Sequence, residues 1–584
     1  MTSDNLTMHW HGLTQAVAPF SDGTPQASQW PIMPGHFFDY EMRPDEGYAG
    51  TYYYHSHVGF QAVSAGGPII VEEAEGEASP YNYDDERILF LSEHYNKTDH
   101  DIVEGLTSEE FTWSGETETI LVNGQSYPAL TAEEAQTTPV SAWTRPPADI
   151  NQKCGPAVID VEPGKTYRFR TIGGTALSLV TFSFETHDKL TVISADGTTT
   201  QPAKTDHIQI GPGQRFDFLL ATKSRSELEE LGRTWFWIQL QTADRPTNVT
   251  YYAILQYKYK LVKGSDKVVP AARPTTAPLA IPTDLTNWLE YTLSPKEPNG
   301  FPSNDQVSRR VFLSNVQIKE NNEVWWAINN HTWTEEDMEL HNTTYNDNMK
   351  TVGTPYLVDI YQNGQAAIPN YDWAVKEHGG WDPRLNVYVA RPGEVIDIIL
   401  LNSPDAVNPG YDSHPWHIHG GHVYDIGSGD GYYSPEEHLR KMGDWQPALR
   451  DTTYLYKYPG HEDLSSSKPG QTYGWRAWRL KVSISGVWMV HCHILQHMIM
   501  GMQSVWVMGD ADDIRSVAQP YVAGYLQYGG SAYGNDTFDP MVYHHFDEDG
   551  EVTARRFRGS SSHTKESKSE TSHSWRGFGK PGRG

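Results

Sequence analysis

Four pairs of histidines, each with one residue between its members, most constrain how this chain can fold. With 25 histidines among 584 residues, chance placement would give about one such pair. Alternate residues of a β-strand point to the same face about 7 Å apart, so each pair predicts a strand that presents two imidazoles side by side. The pairs are His9/His11, His55/His57, His417/His419 and His491/His493.

Four such strands would supply eight imidazoles, which is more than one zinc ion binds. The set therefore predicts a cluster of metal ions. Taken singly, HWHG and HSH are more often incidental than ligand pairs, and HPWHIHGGH alone is also compatible with a zinc site. The occurrence of all four pairs in one chain favours the cluster.

Cys492 predicts a second metal site, because it lies between the two histidines of the last pair and points to the opposite face of their strand. A cysteine with two histidines and a weak axial methionine is the arrangement of blue-copper sites. His497 and Met502 follow this cysteine, and His414 in HPWHIH offers the second imidazole. One strand would then join the two sites, with Cys492 collecting an electron and its neighbours delivering it to the cluster.

Strand-like segments occupy most of the chain. AVIDVEPGKTYRFRTIGG and LNVYVARPGEVIDIILLN both alternate apolar and polar residues around a Pro-Gly turn. Gly, Pro, Tyr and Trp are plentiful, whereas long helical patterns are scarce. The pattern predicts an all-β chain with duplicated β-sandwich domains.

Charge and hydropathy exclude two classes of partner. The net charge of −29 argues against nucleic acid, and no apolar run is long enough to span a bilayer. The two cysteines, Cys154 and Cys492, give no disulfide framework. Secretion is indicated by N-x-S/T sequons at Asn5, Asn96, Asn248, Asn330, Asn342 and Asn535.

The chain resembles the multicopper oxidases, the family of laccases, ascorbate oxidases and ferroxidases. HWHG, HSH, HPWHIH and HCHILQH match the four copper motifs of that family in order, over roughly residues 1–510. YHSHVGFQAVSAGGPIIVEE and VHCHILQHMIMGMQSVWVMG look closest to its fungal ascorbate-oxidase-like branch, whose members also serve in pigment and phenolic secondary metabolism.

The resemblance implies three consecutive cupredoxin-like Greek-key β-sandwich domains. We expect them at residues 1–84, 85–262 and 305–512, with a Pro- and Thr-rich linker at 263–304. A C-terminal extension would cover 513–584, and its Ser-, Lys- and Gly-rich composition predicts disorder beyond about residue 545.

The resemblance also assigns four coppers per chain. The type 1 copper would be held by His414, Cys492 and His497, with Met502 as axial ligand. The type 2 copper would take His9 and His417. The type 3 pair would take the remaining six histidines, which are His11, His55, His57, His419, His491 and His493. An axial methionine implies a type 1 site of moderate potential.

The implied reaction is one-electron oxidation of small phenolic or ene-diol donors, coupled to reduction of O2 to two waters. Asp22, thirteen residues after His9, matches an acid that delivers protons in the family. The second family acid is replaced here by Leu495, so another carboxylate should substitute or proton delivery should be slower. Tyr95 is the residue that corresponds best to a substrate-stacking tryptophan of plant ascorbate oxidases, which argues against ascorbate as the donor.

Two other functions are compatible with the sequence. A ferroxidase would need carboxylates beside the type 1 histidines, and Asp412, Glu436 and Glu437 lie nearby in the sequence. An electron carrier or copper-binding protein without oxidase activity would need only the type 1 site, so the eight cluster histidines argue against it.

Family members usually have several strands and a signal peptide before the first copper motif, which begins here at His9. We therefore expect the first domain to be incomplete at its N-terminus, and the full-length protein to be secreted. The disulfide partner of Cys154 would then lie in the preceding segment.

Overall fold

A computed structural model describes most of the chain. The described residues are 4–44, 47–126, 155–246, 248–262, 273–320, 322–335, 353–404, 411–458, 471–516, 522–530 and 532, with two strands near the C-terminus. Cys154 and the sequons at Asn342 and Asn535 lie outside them.

The first domain, as far as it is described, is built on one antiparallel sheet with the strand order β1-β2-β3. Its register places His9 opposite His55 and His11 opposite Tyr53. Aromatic residues that favour a pleated surface fill the middle strand, GTYYYHS. The strands are β1 (Met8–His11), β2 (Gly50–Ser56) and β3 (Gly66–Val71).

The second domain stacks two sheets, with strand orders β10-β9-β12-β7-β4-β5 and β11-β8-β13-β14-β6. Its core includes stacked phenylalanines such as Phe169 and Phe218. The strands are β4 (Asp85–His94), β5 (Thr119–Val122), β6 (Val158–Val161), β7 (Thr166–Gly174), β8 (Leu179–Phe184), β9 (Leu190–Ala195), β10 (Thr198–Thr205), β11 (Ile208–Ile210), β12 (Arg215–Ala221), β13 (Trp235–Ala243) and β14 (Thr250–Tyr257). Helices α1 (Asp99–Thr107) and α2 (Arg225–Leu231) each begin with a capping box.

The third domain also stacks two sheets, with strand orders β16-β15-β19-β24-β21-β22 and β17-β18-β26-β25-β20-β23. Its strands are β15 (Arg309–Glu320), β16 (Glu323–Ile328), β17 (Trp381–Asp382), β18 (Val387–Ala390), β19 (Val395–Asn402), β20 (His414–Ile418), β21 (Val423–Gly429), β22 (Leu449–Arg450), β23 (Thr452–Leu455), β24 (Trp475–Lys481), β25 (Gly486–Cys492) and β26 (Gln503–Met508). Its helices are α3 (Tyr356–Asn363), α4 (Tyr371–His378), α5 (Pro435–Met442), α6 (Leu495–Ile499) and α7 (Ala511–Arg515).

The repeated Pro-Gly segments occupy equivalent places in the second and third domains. In each, one strand leads through a glycine of positive φ, Gly164 or Gly393, into the opposite sheet. β6 pairs in parallel with β14 as β18 does with β26, and β7 pairs in parallel with β4 as β19 does with β15. The predicted duplication and the all-β class are confirmed.

Two segments add detail to the predicted organisation. The described part of the 263–304 segment forms no named strand or helix, and Trp288 and Leu293 in it pack against the core of the second domain. In the C-terminal extension, β27 (Val542–Phe546) pairs antiparallel with β28 (Val552–Arg556). Among the described residues, no helix combines the length and hydropathy of a membrane span.

Candidate metal centre

The four histidine pairs converge between the first and third domains. β20 lies antiparallel to β25, which places His417 opposite His491 and Trp416 opposite Cys492. All eight histidines of the pairs are buried, and none is more than 3% exposed. Strand pairing within each domain thus places the imidazoles of the first domain next to those of the third.

The eight imidazoles divide into two groups of three and one group of two. The rings of His57, His419 and His491 have centroids 5.2 Å apart in all three pairs. Those of His11, His55 and His493 are 5.0 to 5.7 Å apart. The Nε2 atoms of His9 and His417 lie 3.5 Å apart. This division suits three metal ions rather than one.

Backbone carbonyls fix the tautomer of four of these rings. Because a carbonyl oxygen only accepts, each Nδ1 beside one must carry the proton, which leaves Nε2 with a free lone pair. The Nε2 of His55 is buried without a hydrogen-bond partner among the described residues, as a metal ligand requires. The Nδ1-to-oxygen distances are 2.7 Å for His9 to Asp22, 2.8 Å for His55 to Ser56, 3.0 Å for His417 to Asp451 and 2.9 Å for His491 to Cys492.

Three carboxylates orient further rings. Asp22 lies 2.9 Å from Nδ1 of His419, and Glu335 hydrogen-bonds Nδ1 of His57. Asp451 lies 3.1 Å from Nε2 of His11, whose Nδ1 has no partner among the described residues. Sequence reasoning missed Glu335 and Asp451, since neither has a fixed spacing to its histidine.

Burial keeps the imidazoles uncharged. It lowers the pKa of His57 to about 3, and the neighbouring His9 contributes in the same direction. The pKa values of His11, His55, His417, His419, His491 and His493 are likewise lowered well below the usual range, mainly by burial. Neutral imidazole is the form that binds metal, so the site is set for cations at neutral pH.

A second group lies on the opposite face of β25. The Sγ atom of Cys492 lies 3.7 Å from Nδ1 of His414 and 3.8 Å from Nδ1 of His497, and the two nitrogens are 3.2 Å apart. The backbone N–H of Cys492 donates to the carbonyl of Met502, which is fully buried. The rings of both histidines pack against Trp326, a contact that the sequence did not indicate. A soft thiolate with two imidazoles is a donor set that suits copper.

A small pocket opens beside this second group. His497 lines it, with its Nε2 3.8 Å from Oδ2 of Asp412. Asp244 lines the same pocket, and burial raises the pKa of its carboxyl to about 6. Arg245 also borders the pocket and forms two hydrogen bonds with Glu116. The pocket therefore brings two carboxyls and one paired cation next to His497.

Other residues singled out in the sequence lie away from this pocket. Tyr95 is buried and hydrogen-bonded to Glu93 and Gln496, so it does not correspond to a stacking residue for substrate. Leu495 is buried in α6, where its backbone N–H donates to the carbonyl of Ala176. Glu436 and Glu437 lie in the first turn of α5, and neither lines the pocket beside His497.

Comparison with known proteins agrees with this geometry. Models of the multicopper oxidase family match residues 1–76, 85–260 and 353–512. Multicopper oxidase terE of Aspergillus terreus is 52% identical over 92% of this chain and 98% of its own length. Laccase-like multicopper oxidase 1 of Thermothelomyces thermophilus is 44% identical over 95% and 86%, and L-ascorbate oxidase of Cucumis sativus is 32% identical over 87% and 80%.

Solved structures show the same fold. A laccase from Botrytis aclada superimposes with a TM-score of 0.61 at 21% identity, over 89% of this chain and 80% of that one. Fet3p, a multicopper oxidase that functions in iron import, superimposes with a TM-score of 0.62 at 22% identity, over 92% and 87%. These matches confirm the predicted cupredoxin-like domains as the architecture of the chain.

Proposed function

This chain belongs to the multicopper oxidase family, as its four histidine motifs predicted, and from that premise we propose that it oxidises small phenols with O2 as electron acceptor. It is a copper-dependent oxidoreductase. Copper, when bound, supplies one-electron transfer from the donor and the four-electron reduction of O2 to water. The observation that carries the proposal is the end of strand β25: Cys492 faces one group of ligands, whereas His491 and His493, the residue that follows the strand, face the other.

We assign four copper ions to this chain. The type 1 site is His414, Cys492 and His497 with Met502, and the type 2 site is His9 with His417. The two type 3 sites take the two groups of three histidines described above. The support for this assignment is the donor chemistry of each group and the buried, unpartnered ring nitrogens of His11, His55 and His57.

The side chains at the pocket and at the cluster have separate roles in electron transfer and proton transfer. His497 Nε2 faces the donor, and its ring leads to Cys492 and then through the peptide chain to the flanking histidines. Asp412, 3.8 Å from His497, accepts the hydroxyl proton that a phenol loses with its electron. Asp22, which hydrogen-bonds His419, holds a proton-accepting carboxyl at the cluster.

The charge of the pocket favours phenols over ascorbate. Asp244 and Asp412 accept hydrogen bonds from neutral hydroxyl groups, whereas they repel ascorbate, which is an anion at neutral pH. Arg245, which borders the pocket, forms an ion pair with Glu116. This agrees with the absence of Tyr95 from the residues that line the pocket.

The test is O2 uptake by the copper-loaded chain with a diphenol, ascorbate and Fe2+ measured side by side. We expect the diphenol to be oxidised best, and Asp412→Asn to lower its kcat/KM about tenfold, because a hydrogen bond to a charged group is lost. Glu436→Gln, an exposed carboxyl on α5, is the control and should leave the rates unchanged. Equal effects of the two substitutions would contradict the role of Asp412.

Oxidation of a metal ion is a second candidate function. Asp412 and Asp244 place carboxylate oxygens, which Fe2+ binds, in the pocket of His497. In that case Asp412→Asn would abolish Fe2+ oxidation and leave phenol oxidation intact. The comparison of Fe2+ with a diphenol in the O2-uptake test distinguishes the two functions.

Secretion is a further part of the proposal. The asparagines of the four described sequons, Asn5, Asn96, Asn248 and Asn330, are all exposed and therefore accessible to glycosylation. After expression with a secretion signal in a fungal host, we expect protein in the medium that loses mass on endoglycosidase treatment. Protein without glycan, or retained in the cells, would contradict this.

A further inference from the structure

The turn between β11 and β12 of the second domain reaches the metal centre, although the described residues of that domain contribute no candidate ligand. Gly213 in this turn has φ +84°. A Cβ added there would lie 2.9 Å from Cδ2 of His493 and 3.0 Å from Cε1 of His11. The backbone therefore packs directly against two rings of one three-histidine group, one from the first domain and one from the third.

Arg215, two residues further on, joins all three domains from a fully buried position. Its guanidinium donates to Asp451 of the third domain through two bonds of 2.6 and 2.5 Å. It also donates to the carbonyl of Thr51 in the first domain at 3.2 Å and to that of Gly213 at 3.0 Å. Because the guanidinium group is planar and hydrogen-bonds to all of these partners, the Arg215 side chain is held in one orientation.

Asp451 transmits this support to two metal ligands. Its Oδ1 lies 3.1 Å from Nε2 of His11, and its backbone carbonyl lies 3.0 Å from Nδ1 of His417. Thr452 donates to Oδ1 of Asp451 at 2.8 Å and contacts Nδ1 of His417 at 3.1 Å. Without Arg215, the buried carboxylate of Asp451 would lose its main compensating charge.

The absence of a side chain at Gly12 leaves room for the ion pair between Arg215 and Asp451. It directly follows His11 and has φ +88°. A Cβ at this position would lie 2.6 Å from Oδ2 of Asp451 and closer still to the guanidinium of Arg215. The last residue of the HWHG motif is thus a glycine where the arginine of another domain approaches.

We propose that Arg215 is a positioning residue of the trinuclear copper site: through Asp451 it holds His11 and His417 in the orientation in which they bind copper. This rests on the copper assignment made above. The second domain then has a defined role in O2 reduction while contributing no ligand from its described residues.

The test compares Arg215→Lys with Arg168→Lys in the copper-loaded, full-length chain. Lysine keeps the positive charge but cannot form the two parallel hydrogen bonds that a guanidinium makes with a carboxylate. Arg168 is the matched control, because it is equally an arginine buried at the interface with the first domain, paired with Asp217 at 2.5 Å. The measurements are copper content, the blue absorption, the type 2 signal in electron paramagnetic resonance, and the rate of reoxidation by O2 after full reduction.

For Arg215→Lys we expect an altered type 2 signal and reoxidation slowed about tenfold or more, in the range found for residues that orient metal ligands. The blue absorption and the rate of type 1 reduction should stay at their wild-type values. Arg168→Lys should match the wild type in all four measurements. Asp451→Asn, which preserves the size of the side chain, should reproduce the altered signal and serves if the lysine variant fails to fold.

A wild-type signal and reoxidation rate in both Arg215→Lys and Asp451→Asn would overturn the proposal. The same spectral change in Arg168→Lys would also overturn it, because the effect would then belong to the domain interface in general. Failure of the copper assignment is distinguishable, since the wild-type chain itself would then lack a type 2 signal.

Discussion

Cys492 is the residue at which the two sites meet. Its thiol lies within 3.8 Å of the ring nitrogens of His414 and His497, while the adjacent residues of the strand reach the cluster. Serine preserves the strand but supplies no soft thiolate. We expect Cys492→Ser to lose the blue absorption and donor-driven O2 uptake while keeping copper at the eight histidines. Absorption and resonance spectra check this, and a retained blue band would refute the assignment.

We expect Asp22 to act at the cluster and not at the site of donor oxidation. Its carboxylate lies 2.9 Å from Nδ1 of His419. Asparagine keeps the shape but holds no exchangeable carboxyl proton, so we expect Asp22→Asn to slow reoxidation by O2 about a hundredfold. Stopped-flow reduction of the type 1 site should be unaffected. Equal slowing of both steps would remove Asp22 from proton delivery.

The sequence predicted which histidines come together, but it did not predict the carboxylates that hydrogen-bond them. The spacing of each histidine pair is a property of a single strand, so it is visible without the fold. Glu335 and Asp451 reach their histidines from 278 and 440 residues away, and a lone carboxylate has no periodic signal. Glu335 is a further carboxyl at the cluster, hydrogen-bonded to His57, and its position in the sequence gave no signal of that contact.

Among the elements, the end of β1 leaves no room for a side chain at Gly12. Gly12 and Gly35 both have positive φ, but Gly12 faces Arg215 and Asp451, whereas Gly35 has no described residue within 4 Å of its added Cβ. Alanine at either position costs roughly 1 to 3 kcal/mol of backbone strain. We expect Gly12→Ala to lower the thermal midpoint more than Gly35→Ala does. Gly12→Ala should also lose type 2 copper, whereas Gly35→Ala should retain that copper. Equal behaviour of the two variants would contradict the packing argument.

Strands and helices could be predicted where residues close in sequence determine them. The Pro-Gly segments were readable because alternation and turn chemistry are both local, and they became β6–β7 and β18–β19. Helix α6 was not predicted, because five residues are too short for a helical period.

In the whole molecule, the cluster joins the first domain to the third, so copper-free protein carries many buried neutral histidines. Burial lowers the pKa values of His57 and His414 to about 3, whereas an unfolded histidine titrates near 6.5. The unfolded chain therefore binds more protons below about pH 6.5, and stability is lost as the pH falls toward the folded values.

We expect the thermal midpoint of the copper-free protein to be lower at about pH 5 than at about pH 8. Each of these two histidines should lower the free energy of unfolding by about 2 kcal/mol at the lower pH. Copper-loaded protein is the control, since bound metal competes with protons for the imidazoles. Calorimetry of both forms checks this. A midpoint that is the same at both pH values in the copper-free form would contradict it.

The order of the domains and the family followed from the motifs, but the contact of the second domain with the cluster did not. Arg215 lies in PGQRFDF, a segment without a ligand motif, and its role depends on Asp451 and Thr51 in two other domains. Contacts between domains come from the packing of complete sheets, which no local pattern encodes.

As a multicopper oxidase, this chain couples one-electron oxidation of a donor to full reduction of O2. The most direct test is the ratio of electrons taken from a diphenol to O2 consumed by the copper-loaded chain, with hydrogen peroxide assayed in parallel. The structure predicts about four electrons per O2 and no peroxide, because ten histidines and one cysteine form the two sites. Two electrons per O2 with accumulating peroxide, or no uptake at all, would contradict the account.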